Sequence, residues 1–224
     1  MTTARDNILA RVRKALGKSE RERDEAGIAA AEAYLAARAQ GPRPTLTDDL
    51  VERFIARARA MQSTVERVAD KADIPRAVGR YLDGLECPAA RAAERTNAGV
   101  CWPEFAMLDW TGAGLHLDAR PATGTDRLAV TGVFCAIAET GTMVIVSGAQ
   151  TPTASILLPE THVAIVPAQR IVAGMEDAFA LLRRERGALP RAVNMVSGPS
   201  RTGDIEQTIV LGAHGPYRVH VLVV

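Results

Sequence analysis

The chain has 224 residues, of which 47% are hydrophobic and 24% are charged, the composition of an ordinary globular protein. This length is enough for one domain with a sizeable core and an appendage. The net charge of +1 offers no electrostatic basis for binding nucleic acid or an anionic membrane surface, so neither is expected as a partner.

The three cysteines, Cys87, Cys101 and Cys135, lie far apart in the sequence and form no Cys-x-x-Cys pair. We therefore expect no intrinsic iron–sulfur cluster, zinc knuckle or disulfide scaffold. The first residues carry charges where a signal peptide would need an apolar run, and the uncharged stretch between Glu139 and Glu160 contains turn residues. These features predict a cytoplasmic protein with free thiols and no membrane span.

The N-terminal part, residues 1–70, is rich in charge and is predicted to be a helical extension. A first helix stops at Gly17, and Gly41-Pro-Arg-Pro44 ends the alanine-rich stretch that follows it. Thr47 is predicted to cap a second helix, with Asp48 and Asp49 in its first turn. The apolar stripes of these two helices contain Ile8, Leu9, Val12 and Leu16, and then Leu50, Phe54, Ile55, Ala58, Met61 and Val65.

The remaining residues, 71–224, are predicted to form an α/β domain. It opens with a helix from about Ile74 to Leu82, with Pro75 in the first turn. Strands are predicted at 114–117, 134–138, 142–146, 162–166, 193–196 and 218–224, and helices at 174–186 and about 203–211. Strands that alternate with helices indicate a partly parallel sheet covered on both faces.

One turn of this domain has a demanding geometry. Glu139-Thr-Gly141 separates two apolar strands, so it is predicted to be a hairpin turn in which Gly141 adopts dihedral angles unusual for other residues. Glu139 is the only acidic residue between Arg127 and Pro159, and a carboxylate flanked by apolar strands suits a general base or a nucleophile. The alternative is a turn glutamate that faces solvent.

A second candidate site is the polar segment Ser197-Gly-Pro-Ser-Arg-Thr-Gly-Asp-Ile-Glu206. If Thr202 caps a helix here, the free N–H groups of that helix, the hydroxyl of Ser200 and the guanidinium of Arg201 could bind a carboxylate or a phosphate. Asp204 lies in the predicted first turn and would already satisfy the helix dipole. The segment therefore either binds an anion or merely caps a helix, and both roles are compatible.

Two histidines are further candidate site residues. His214 lies in Gly212-Ala-His-Gly-Pro216, where glycine and proline fix the backbone around a side chain that can exchange a proton near neutral pH. His162 begins a predicted strand. A metal site formed by His162, His214, Asp204 and Glu206 is an alternative, but their spacing follows no ligand pattern, so no metal is expected.

Four motifs occur in one order along the chain: Ala138-Glu-Thr-Gly-Thr142, Leu158-Pro-Glu-Thr-His162, the segment that begins at Ser197, and Gly212-Ala-His-Gly-Pro216. Together they resemble the LUD (lactate-utilisation) domain family, and within it the small LutC/YkgG type. The resemblance covers about residues 97–224.

The resemblance implies a three-layer α/β/α fold similar to the sugar-phosphate isomerase and CoA-transferase type. It also implies a place in a cytoplasmic system that oxidises lactate to pyruvate, in which other subunits carry the iron–sulfur clusters. No cofactor is indicated for this chain, which lacks a Gly-x-Gly-x-x-Gly fingerprint. Whether this subunit is itself an enzyme stays open.

The sequence thus predicts a pocket for a small organic acid or the anionic group of a cofactor. Glu139 and His214 are the candidate catalytic residues. The candidate ligand-binding residues are Thr140, Gly141, Thr142, His162, Gly198, Ser200, Arg201, Thr202, Asp204 and Glu206. Two alternatives remain: a stand-alone acyl- or CoA-transferase that uses Glu139 as nucleophile, and a non-catalytic assembly subunit.

Overall fold

The structure is a computed structural model and describes residues 3–17, 25–46, 49–85, 97–203 and 210–224. The chain divides into two compact units, Met1–Pro44 and Thr45–Val224. The first contains α1 (Ala4–Ala15) and α2 (Glu25–Ala37). Thr3 and Asp6 form a reciprocal capping box at the start of α1, and no described residue of either helix is buried.

The second unit begins with α3 (Leu50–Ala60), β1 (Thr64–Arg67) and α4 (Ile74–Asp83). Asp49 caps α3, because its Oδ1 accepts hydrogen bonds from the backbone N–H groups of Val51 and Glu52. The predicted cap Thr47 and its neighbour Asp48 lie outside the described residues.

The following elements are β2 (Ala98–Cys101), β3 (His116–Ala119), β4 (Leu128–Gly132), β5 (Cys135–Ile137), β6 (Thr142–Val146), α5 (Ala154–Leu157) and β7 (Thr161–Val166). After them come β8 (Ile171–Val172), α6 (Met175–Arg186), β9 (Val193–Val196), β10 (Arg201–Thr202), β11 (Val210–Leu211) and β12 (Arg218–Val223).

A parallel six-stranded sheet with the order β1-β12-β7-β4-β2-β3 forms the centre of this unit. Its central strands are buried along their whole length because both faces are covered. On β7, Val163 and Ile165 pack into a core with α4, whereas Ala164 and Val166 pack into a core with α3. The predicted α/β architecture with helices on both faces of a parallel sheet is confirmed.

A second sheet has the order β8-β5-β6-β9, in which β6 is antiparallel to both β5 and β9. Alternate residues of β6 face in opposite directions. Val144 and Val146 pack on Ala178 and Leu182 of α6, while Met143 faces the core below α3. The helix predicted over 174–186 is thus confirmed, and it packs on this sheet.

Two local predictions were wrong. Val65 does not continue the stripe of α3, because α3 ends at Ala60 and Val65 lies in β1, whose backbone pairs with β12. The helix predicted at about 203–211 does not include Val210 and Leu211, which form β11, and residues 204–209 lie outside the described residues. Arg201–Thr202 instead pairs in antiparallel fashion with Val210–Leu211.

The division after Pro44 differs from the boundary expected at residue 70. The reason is that α3 and β1, both placed in the expected extension, contribute to the sheet domain. Phe54 and Ala58 of α3 are buried in its core, and β1 is an edge strand of the parallel sheet.

Candidate functional site

The turn between β5 and β6 lies against the C-terminal end of α3. Gly141 has a φ of +70°, and its N–H donates to the carbonyl oxygen of Ile137 over 2.9 Å. A Cβ at this position would overlap the backbone of Arg57 and Ala58. The predicted hairpin and the predicted unusual geometry of Gly141 are confirmed, and the close approach to α3 is a second reason for glycine.

The loop after β9 reaches the same end of α3. Gly198 has a φ of +78°, and a Cβ there would overlap the carbonyl oxygen of Met61, the C-cap residue of α3. Arg201 Nη2 donates to that carbonyl oxygen over 3.5 Å. A cation at a helix C-terminus is a favourable arrangement in its own right, so this contact supports α3 whatever else Arg201 binds.

A chain of hydroxyl groups joins the turn to the loop. Thr140 Oγ1 lies 2.7 Å from Thr142 Oγ1, which lies 2.7 Å from Ser197 Oγ. Thr142 is buried, whereas Thr140 and Ser197 are exposed. The structure thus gathers several motif residues at the end of α3, here called the hairpin cluster: Glu139, Thr140, Gly141, Thr142, Ser197, Gly198 and Arg201.

Glu139 is the acidic member of the hairpin cluster. It is half-buried, and its N–H donates to the carbonyl oxygen of Ala173 over 3.0 Å. No residue within the described ranges donates a hydrogen bond to its carboxylate. A carboxylate held by its backbone but without such a partner can accept a proton from a ligand or form a bond to it.

The structure also brings the last two motifs together, with Ser200 between them. Ser200 donates its N–H to the carbonyl oxygen of Pro216 over 2.9 Å, and its own carbonyl oxygen accepts the N–H of Gly212 over 2.9 Å. The N–H of His214 donates to Ser200 Oγ over 3.3 Å. His214 itself is exposed.

A cleft of about 720 Å³, here called the His214 cleft, lies at the amino ends of β4, β7 and β12. Its described lining is formed by residues 124–127, 157–160 and 212–215, and by Tyr217. Glu160 bridges two arginines, with Oε2 3.2 Å from Arg127 and Oε1 3.3 Å from Arg218. Glu160 therefore ties the segment before β7 to Arg127, just before β4, and to Arg218 of β12.

His162 lies inside the parallel sheet and has no exposed surface. Its Nε2 is 2.7 Å from Thr131 Oγ1, and Nδ1 has no partner within the described residues. Burial lowers the pKa of His162 to about 4, so its ring is neutral at physiological pH. The structure therefore places His162 in the core rather than among the exposed residues of the hairpin cluster.

Three further predictions concern the segment after Arg201. Thr202 lies in β10 and is half-buried, whereas Asp204 and Glu206 lie outside the described residues. Because residues 204–209 lie outside the described residues, the predicted anion site at a helix N-terminus after Thr202 stays a prediction. In the part of the chain that the structure describes, no three His, Cys, Asp or Glu side chains are grouped to hold a metal ion.

Sequence reasoning did not single out Ser197, Arg127, Glu160 or Arg218 as site residues. Ser197 begins a motif, but its bond to Thr142 joins the loop after β9 to the first residue of β6. Glu160 lies in a motif as well, yet its two arginines come from the start of β4 and from β12. Only the strand order brings these pairs into contact, so no local sequence signal indicates them.

Across the residues that the structure describes, no helix has the length and apolar character that a membrane crossing needs. Cys101 and Cys135 are buried and unpaired, and burial raises the pKa of each thiol to about 11. Cys87 lies outside the described residues. The two described cysteines are therefore thiols of low reactivity.

Comparison with known proteins shows sequence similarity to proteins named lactate utilization protein C. Lactate utilization protein C 1 of Bacillus mycoides is 39% identical over 110 residues, which are 48% of this chain and 47% of that protein. Lactate utilization protein C of Bacillus subtilis is 36% identical over 91 residues, 39% of this chain and 38% of that protein. The matched region is less than half the length of each of these relatives.

A solved structure has the same fold. The crystal structure of a DUF162 family protein from Deinococcus radiodurans superposes with a TM-score of 0.55 and 21% sequence identity, covering 80% of this chain and 99% of that chain. The sequence profile of the LUD domain matches residues 51–224, a range that includes α3 except its first residue, both main sheets and all the motif residues. The protein therefore belongs to the LUD domain family.

Proposed function

We propose that the chain is a component of a cytoplasmic lactate-utilisation system and binds a small organic acid, or the anionic group of a cofactor, at the hairpin cluster. The names of the relatives support the first part of this proposal. The observation that carries the second is the convergence of Gly141, Gly198 and Arg201 on the end of α3. The β5–β6 turn and the loop after β9, which are distant in sequence, lie together there, and Thr140, Ser197 and Arg201 have N–H or O–H groups that a ligand could use.

Arg201 supplies the positive charge in this proposal. One of its N–H groups donates to Met61, and a guanidinium has five, so the remaining ones can meet a carboxylate in a forked geometry. Thr140 and Ser197 are exposed ends of the hydroxyl chain and can donate to the same anion. Ser200, Gly198 and Thr202 hold the loop in place around Arg201.

Glu139 or His214 would transfer the proton that accompanies a reaction at the bound acid. Glu139 lies in the hairpin cluster, whereas His214 borders the cleft that Arg127 and Glu160 line. In this proposal the oxidation itself requires electron carriers on other subunits, which would be iron–sulfur proteins of the same system. Asp204 and Glu206 retain their proposed ligand-binding roles in the segment that adjoins Arg201.

Growth on lactate tests the biological role. Deleting the gene in the source organism is expected to abolish growth on lactate but not on pyruvate, and the intact gene should restore it. Arg201→Ala should fail to restore growth, whereas Arg184→Ala, a control on the exposed surface of α6, should succeed. Normal growth of the deletion strain on lactate would contradict the proposed role.

A second function is favoured by one observation, the lack of a described hydrogen-bond donor to the Glu139 carboxylate. Such a carboxylate could attack an acyl-CoA thioester, release the CoA thiol and form an acyl–enzyme anhydride. Intact-mass measurement after incubation with acetyl-CoA would show an added acetyl group in the wild type but not in Glu139→Gln.

If Glu139→Gln and Arg201→Ala both support growth, the chain acts as a non-catalytic assembly subunit.

A further inference from the structure

Exposed apolar surface is concentrated on the two N-terminal helices. Seven of the sixteen large apolar side chains that the described residues leave exposed belong to α1 and α2, which have only 12 and 13 residues. Apolar surface gathered in this way marks an interaction site. The seven side chains are those of Ile8, Leu9, Val12 and Leu16 in α1 and of Ile28, Tyr34 and Leu35 in α2.

The composition of α2 is that of a buried helix. Its 13 residues include seven alanines, and only Glu25 and Glu32 are charged, so apolar residues lie on every side of the helix. Helices that are apolar all round are buried in folded proteins. Every residue of α2 is nevertheless exposed, and Tyr34 and Leu35 leave 74% and 71% of their surface open. The described part of a single copy therefore does not provide the cover that α2 requires.

The charges of α1 complement those of α2. The apolar side chains of α1 lie on one face at helical spacing, and the helix carries four basic residues and one acidic residue, Asp6. The formal charge of α1 is therefore +3, whereas that of α2 is −2. A basic helix with an apolar stripe suits an apolar helix with a negative charge. The basic residues are Arg5, Arg11, Arg13 and Lys14.

A second copy of the chain is the partner that fits both helices. Two helices of this length cannot enclose a core by themselves, but four can. The small side chains of α2 let a neighbouring helix approach its backbone closely. Because both helices occur in every copy, two copies related by a two-fold axis satisfy both of them at once. We propose that α1 and α2 of two chains form a four-helix bundle, in which the apolar stripe of each α1 packs on the α2 of the other chain.

Sedimentation equilibrium of the full-length protein measures this assembly. The expected mass is twice the 23.9 kDa of one chain. The double variant Tyr34→Glu/Leu35→Glu places two charges in the apolar interface while keeping a good helix-forming residue, so it should weaken the dimer by about tenfold or more. Met107→Glu is the matched control, because Met107 is an apolar residue of the sheet domain that is 95% exposed. It should leave the dimer unchanged.

Charge reversal tests whether the helices pair between copies. The variant Arg5→Glu/Arg11→Glu makes both helices acidic, and Glu25→Arg/Glu32→Arg makes both helices basic. Each variant alone should form a dimer weakened by about tenfold, because helices of like charge then face each other. An equimolar mixture should restore the dimer, since every helix of one variant meets a helix of opposite charge in the other.

Three results would overturn the proposal. The first is a monomeric wild type, and if that monomer sediments with vesicles of anionic phospholipid, the two helices cover a membrane surface instead. The second is a dimer that Tyr34→Glu/Leu35→Glu does not weaken, since its interface would lie outside α2. The third is a mixture of the charge-reversed variants that associates no more tightly than either variant alone. The outcome is independent of the function proposed for the hairpin cluster, because no residue of that cluster lies in α1 or α2.

Discussion

At the scale of single residues, two buried histidines of the parallel sheet link stability to pH in the same direction. His162 and His220 each have a pKa lowered to about 4 by burial, against 6.5 for an unburied histidine. Between these two values the unfolded chain binds protons that the folded protein does not. Stability is therefore unaffected above pH 6.5 and falls as the pH drops from 6.5 towards 4.

His162→Gln should remove part of this pH dependence while keeping a partner for Thr131. Between pH 6.5 and 5, each buried histidine is expected to cost about 1.5 kcal/mol of unfolding free energy, so the variant should lose about that much less than the wild type. Urea unfolding at both pH values measures the difference. Equal losses in the two proteins would show that His162 is not held neutral by burial.

Gly198 is a residue whose role depends on contacts across the fold. Gly198→Ala should lower the unfolding free energy by about 2–4 kcal/mol, because the positive φ strains alanine and its Cβ collides with the Met61 carbonyl oxygen. Gly187→Ala is the matched control, since Gly187 has a φ of +70° and no atom within 4 Å of its Cβ position. Its cost should be about 1 kcal/mol. Equal costs would remove the argument for close packing of the loop on α3.

At the scale of elements, the hydroxyl chain is expected to join the β5–β6 turn to the loop after β9. Thr142→Val keeps the side-chain shape but loses both hydrogen bonds, and Ser197→Ala loses one of them. A double-mutant cycle in urea unfolding should give a coupling of about 0.5–1.5 kcal/mol between the two positions. A coupling near zero would mean that the two hydroxyls do not hold the turn and the loop together.

Elements with a strong local signal could be predicted, and elements defined by distant pairing could not. The run Thr161–Val166 is apolar and β-branched, and α6 has apolar spacing with glycine at both ends, so both were found. The segment Thr64–Arg67 contains two charges, and its Val65 was predicted to belong to the end of α3. The segment forms a strand because it pairs with the edge of β12. Arg201–Thr202 has helix-capping residues but pairs with Val210–Leu211.

The same distinction applies to the candidate site. The motifs indicate Glu139, Ser200 and His214 by residue type, and the structure shows which of them meet. Ser200 contacts the His214 loop, whereas Gly141, two residues after Glu139, lies against the end of α3. His162 shares a motif with Glu160, but it lies inside β7, which is covered on both faces, whereas Glu160 lies before the strand.

At the scale of the whole molecule, the two compact units predict independent stability. The described residues of α1 and α2 bury no side chain, and the sheet domain begins with α3. A chain that starts at Thr45 should therefore unfold cooperatively with a Tm within about 2 °C of the full-length value. Differential scanning calorimetry of both proteins measures this. A large fall in Tm would show that residues 1–44 contribute to the core.

The proposed anion site of this LUD-family domain depends on Arg201 at the end of α3. Calorimetric titration of the purified protein with lactate, pyruvate and CoA, beside Arg201→Ala and the control Arg184→Ala, tests it most directly. We expect saturable binding of at least one of these anions, with affinity lost in Arg201→Ala and retained in Arg184→Ala. Absence of binding by the folded protein, or equal affinity in all three proteins, would contradict it.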